Sequence, residues 1–125
     1  MEQTASTAQR VPQGTVTIAP AVLTTIVRLT ALAEPGVLRL SSRAPTAIGR
    51  VLGRAAMAEG LRVEVHDDQT VTVELHVAAD PNVNLKALGE SLQTRVARAV
   101  EHMVGMDVRA VNVFIDEIEF GGTAR

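Results

Sequence analysis

Cysteine, tryptophan and tyrosine are all missing from this 125-residue chain. Without cysteine there are no disulfides, no thiolate metal sites and no cysteine nucleophile. Phe114 and Phe120 are the only aromatic residues among Phe, Trp and Tyr, a poor platform for stacking the bases of single-stranded nucleic acid. Lysine occurs once, at Lys86, and the net charge is −2, so no global field draws the chain to polyanions. No apolar run approaches the ~20 residues of a membrane span. Residues 1–13 are polar and lack the apolar core of a signal peptide. These absences point to a cytoplasmic protein.

Hydrophobic residues nevertheless make up 46% of the chain and charged residues 21%, the balance of a single globular domain. Its core must come from Val, Leu, Ile and Ala. Residues 1–13 read as a disordered leader, 14–120 as one domain and 121–125 as a frayed tail. Thr15-Val16-Thr17-Ile18 alternates like a half-buried strand. Pro20 suits the first turn of a helix that sets Val22, Leu23, Ile26, Leu29 and Leu32 or Ala33 along one face and stops at Pro35-Gly36. Val37 to Leu40 follows as a short strand. Over 45–58, Pro45 and the spacing of Ile48, Val51, Leu52, Ala55 and Ala56 suggest a short basic helix, weakened by Gly49 and Gly53.

Leu61 to Ala78 reads as a hairpin. A three-residue loop, Asp67-Asp68-Gln69, sets His66 opposite Thr70 and Arg62 opposite Glu74. Asn84 caps a long helix over 85–104 with a stripe of Leu85, Leu88, Leu92, Val96, Ala99, Val100 and Met103, ended by Gly105. Val108 to Ile115 is apolar on both sides apart from Arg109 and Asn112, which suggests a central strand. The fold class is therefore α+β: one small sheet of about five strands, two long helices packed on one face, and the short basic helix if it forms.

Several of these stretches, in order, resemble the alkaline-shock-protein family of bacteria. They are Gly14-Thr15-Val16-Thr17-Ile18-Ala19 leading into a helix, Gly36-Val37, Gly60-Leu61-Arg62-Val63, Val100-Glu101-His102-Met103-Val104-Gly105-Met106 and Val111-Asn112-Val113. The pattern departs at Ala19, at Asp80-Pro81 and at Val104, all in caps and loops. The resemblance implies a cytoplasmic protein of envelope stress or homeostasis, held near the membrane by a partner in some members, with no active-site residues to carry over.

The residues themselves offer no catalytic constellation. There is no nucleophile elbow and no phosphate-binding glycine loop. His66 and His76 lie about 20 Å apart along the hairpin at ~3.3 Å per residue, too far to share a metal. His66 beside Asp67 and Asp68 reads as a solvated tip, His102 as a cation at a helix C-terminus, and Glu117 and Glu119 as solvated. No cofactor and no metal are expected, and the chain reads as a non-enzyme. The clearest asymmetry is electrostatic: Arg39, Arg43, Arg50 and Arg54 precede a hairpin rich in Glu and Asp. Those four arginines are the candidate partner-binding residues. The favoured partner is a protein, membrane-anchored or a second copy of the chain. The alternative is an RNA- or phosphate-binding module using the arginine-rich segment 39–62.

Overall fold

The computed structural model describes residues 12–41, 50–52 and 55–120. The elements run α1 (Pro20–Leu32), β1 (Val37–Leu40), β2 (Arg50–Leu52), β3 (Ala55–Ala58), β4 (Leu61–Val65), β5 (Val71–Ala79), α2 (Leu85–Val104) and β6 (Val108–Ile118). They form one six-stranded sheet with both helices against it, an α+β fold.

The hairpin forms as its alternation requires. Leu61 faces Leu75, Arg62 faces Glu74 and Val65 faces Val71, and the His66 N–H donates to the Thr70 carbonyl at 2.8 Å. Odd-numbered residues of both strands point at the helices, and Val63, Val71, Val73, Leu75 and Val77 are fully buried. β5 outruns β4, and the spare length takes β1 on the same edge, with Leu40 opposite Val77. The other edge of β5 carries β6 in parallel, from Val71–Val108 to Ala79–Ile118. A parallel partner needs a long crossover, and α2 supplies it. The helix begins where Asn84 Oδ1 accepts the Ala87 N–H at 2.9 Å and ends where Gly105 turns left-handed at φ 79°. Leu88, Leu92, Val96 and Val100 form its buried stripe, while Met103 is exposed.

Four further expectations change. The stretch 15–18 is not a strand: Val16 is 90% exposed, because alternation alone supplies no neighbour to bond with. The short helix expected over 45–58 is replaced by β2 and β3, with residues 42–49, 53 and 54 outside the described residues. Ala55 to Ala58 would suit a helix, but pairing with β4 from Ala55–Glu64 to Ala58–Leu61 overrides that weak preference. β6 is an edge strand, not a central one; its apolar residues on one side pack under α2, while Phe114 on the other side stacks on a histidine. Finally, α1 buries Leu23, Val27 and Ala31 in place of the broader stripe, and Val22, Leu29 and Leu32 face outward. The helix is apolar on more than one side, and packing chose the narrower row.

Gly60 makes the β3–β4 turn at φ +74°, a conformation that costs other residues strain. A Cβ there would stand 2.9 Å from Leu40 Cβ and 3.0 Å from the His76 carbonyl oxygen, and the Gly60 carbonyl accepts the His76 N–H at 2.8 Å. Gly60→Ala is expected to lower unfolding free energy by about 1–3 kcal/mol, from the strained φ and the close approach together. Urea denaturation of the two proteins measures it.

Candidate functional site

The face of the sheet turned away from the helices is polar, and its side chains fall into rows across β5. In one row Arg39 of β1, Ala78 of β5 and Glu117 of β6 are register neighbours. Ala78 is only a methyl, so Arg39 reaches over the strand. Its Nη2 donates to Glu117 Oε1 at 2.7 Å and to Glu119 Oε2, and its Nε donates to Glu119 at 3.1 Å. The Ser41 hydroxyl, fully buried, donates to the other oxygen of Glu117 at 2.9 Å. Glu117 and Glu119 are thus ion-paired, where the sequence suggested solvated carboxylates. No local pattern signals that a small residue on β5 lets β1 and β6 meet.

In the next row His76 stacks on Phe114, centroids 4.5 Å apart and planes 9° from parallel. His76 Nδ1 lies 2.7 Å from Asp116 Oδ2 and Nε2 lies 2.9 Å from Glu74 Oε2. Burial disfavours the charged ring, but hydrogen bonds and charge from Glu74 and Asp116 outweigh it and raise the His76 pKa above its ordinary 6.5. With a carboxylate on each nitrogen, the ring has no free position to take a substrate proton. The two acids sit on opposite sides of the imidazole and do not converge on one point. Among the described residues no group of three or more His, Asp or Glu side chains is placed to hold a metal ion. Nearer the tip, His66 Nε2 lies 2.7 Å from the Thr72 hydroxyl, and Asp68 accepts from the Thr70 backbone and hydroxyl and from Arg109.

Of the four candidate arginines, Arg39 is committed to the two glutamates. Arg50 lies on β2, and Arg43 and Arg54 lie outside the described residues. Arg50 is in a strand and not in the short basic helix expected over 45–58. A feature the sequence did not flag is Glu34, buried just after α1. It accepts the Ser91 hydroxyl at 2.9 Å and lies 3.0 Å from Arg95 Nε, tying α1 to α2.

Several large apolar side chains on and before α1 are exposed. Val16, Val22 and Leu29 are 90%, 47% and 57% exposed, with Ile18 and Leu32 at 37% each. No acidic side chain interrupts the sequence between Gly14 and Ala33.

A histidine whose pKa is raised on folding stabilises the fold below its unfolded value and loses that contribution as pH rises through the folded one. For His76→Gln we expect the melting temperature to vary less with pH than the parent's, across and just above pH 6.5. The parent should lose ground relative to the variant as pH rises. Thermal melts at a series of pH values read the difference directly.

Known proteins resemble this chain in sequence or in outline. An uncharacterised protein of Bacillus subtilis strain 168, YqhY, is 23% identical over 112 residues, covering 90% of this chain and 82% of that one. Solved structures of the MamM CTD are similar in outline. One variant matches at 15% identity and TM-score 0.49, covering 79% of this chain and 95% of its own. A nickel form of another variant matches at 14% identity and TM-score 0.49, covering 79% and 99%. The alkaline-shock-protein family model, described as having a cell envelope-related function, matches residues 8–120, and the chain belongs to that family.

Proposed function

We propose that this protein is a non-catalytic interaction protein of cell-envelope homeostasis, working by self-association or by binding a membrane-associated protein partner. The observation that carries this reading is the outward apolar row of α1, Val22, Leu29 and Leu32, left over after the helix has filled the core. Burying a side chain of that size stabilises a contact by roughly 1.5–3 kcal/mol. The polar face supports the same reading from the other side: its acids and bases are closed into pairs, with His76 held at both nitrogens. Among the described residues no helix is long and apolar enough to cross a membrane, so attachment to the envelope would run through a partner. The arginines of segment 39–62 remain in the proposal as a secondary contact, with Arg50 and Arg54 as its testable members. The phosphate-binding alternative loses Arg39 to its glutamates.

Co-purification from cells tests the reading. The parent should be recovered with a membrane-associated protein, and the Val22→Glu, Leu29→Glu double variant should lose most of it. Recovery undiminished by that change rules α1 out as the contact. The parallel variant Arg50→Glu, Arg54→Glu reports whether the basic segment contributes.

A further inference from the structure

The histidine on the open face of the sheet sits between two acids, and that arrangement is satisfied in only one protonation state. His76 Nδ1 lies 2.7 Å from Asp116 Oδ2, and Nε2 lies 2.9 Å from Glu74 Oε2. Two such hydrogen bonds need two N–H donors, and a neutral imidazole has one. Once the proton leaves, one carboxylate faces a bare ring nitrogen. The surroundings decide which. Asp116 is the more covered acid, its side chain 27% exposed against 39% for Glu74, and it holds the shorter bond. Among the described residues Asp116 has no cation but His76 within ion-pair distance. Glu74 has an alternative. Arg62 of β4 stands directly opposite it in the register, and directly opposed residues share a face with their Cβ atoms about 4.5–5.5 Å apart. Arg62 meanwhile reaches Glu64, two residues along its own strand, at 3.6 Å, too long for a hydrogen bond. The other neighbours of the ring cannot compete. β6 presents Phe114 and, beside Glu74, the uncharged Asn112. In the next row Arg39 of β1 is held by Glu117 and Glu119, and the Ser41 hydroxyl by Glu117. The helices pack on the opposite face, against Val73, Leu75 and Val77.

We infer that Glu74 is the moving arm of a proton-controlled switch, bonded to His76 while the ring is charged and to Arg62 once the ring is neutral. The inference goes beyond the α1 contact and does not depend on it. With the ring charged, both acids are held by His76, and Arg62 keeps its loose pairing with Glu64. With the ring neutral, the remaining proton stays on Nδ1 against Asp116, Glu74 turns across to β4, and Glu64 loses its cation. The open face is then one charge more negative, and the uncompensated charge appears on the partly exposed Glu64. The link between β4 and β5 gains a cross-strand ion pair, while β5 gives up one along its own length. The folded ring holds its proton above the ordinary 6.5. The His76-bonded arrangement therefore prevails below that value, and the exchange takes place above it. Two discrete partners for one side chain make the bistable element that a proton can bias.

Two measurements on the whole chain test the switch. Ring-nitrogen NMR of the parent, followed from about pH 5 to about pH 9, a range that brackets a histidine, should show His76 losing its Nε2 proton and keeping the one on Nδ1. A neutral ring protonated at Nε2 instead would mean that Asp116 was released and Glu74 stayed, and it overturns the inference. The second measurement is a double-mutant cycle of Arg62→Gln and Glu74→Gln, read by urea denaturation at the two ends of that range. The two residues should be coupled by roughly twofold to fivefold in the unfolding equilibrium constant at about pH 9, the scale of an exposed ion pair, and hardly at all at about pH 5. Repeated in a His76→Gln background, the cycle should give the same coupling at both pH values, because the group that withholds Glu74 is gone. Coupling in the parent that does not differ between the two pH values overturns the inference as well. Should a variant fail to fold, the ring-nitrogen measurement on the parent decides the matter alone.

Discussion

Strand β5 is bonded along both edges over almost its whole length, and the position of every other element follows from it. β4 and β1 share one edge end to end, β6 takes the other, and five of its nine side chains from Val71 to Ala79 point under the helices with none exposed. A strand held in this way cannot slip by one residue without turning its apolar row outward and its polar row into the core. The register of β5 is therefore the constraint on which the polar face, the helix seats and the place of β6 all depend.

That register has a direct electrostatic result. Alternate residues of β5 on the open side are Thr72, Glu74, His76 and Ala78, and their neighbours on β1, β4 and β6 bring opposite charges alongside. Arg39 with Glu117, and His76 with Glu74 and Asp116, are pairs within the molecule. Partly exposed pairs such as these add little to stability. They do leave few unspent charges among the described residues of the open face.

Much of this architecture is legible in the sequence where local pattern and tertiary need agree. The β4–β5 hairpin, its loop, the Asn84 cap and the Gly105 stop are all readable, because each is fixed by neighbours within a few residues. Gly36, Gly60 and Gly105, which carry part of the family resemblance, all adopt positive φ. The differences fall where tertiary contacts decide. Ala55 to Ala58 forms a strand because β4 offers an edge, and the burying row of α1 is ambiguous because two rows are apolar. The edge position of β6 is hidden because an edge strand that packs a helix on one side and a histidine on the other reads like a central one. Of the candidate arginines, Arg39 can be placed only once Ala78 is known to lie between it and Glu117.

The parallel junction of β5 with β6 also sets an order of events during synthesis. β5 leaves the ribosome before α2 and the last strand exist, so the backbone groups along one flank of β5 have no strand partner until the whole crossover has been made. Translation proceeds at about 5–20 residues per second, so this interval lasts on the order of seconds. During it the nascent chain carries an unpaired row of backbone N–H and C=O groups, open to bonding with whatever waits at the ribosome exit.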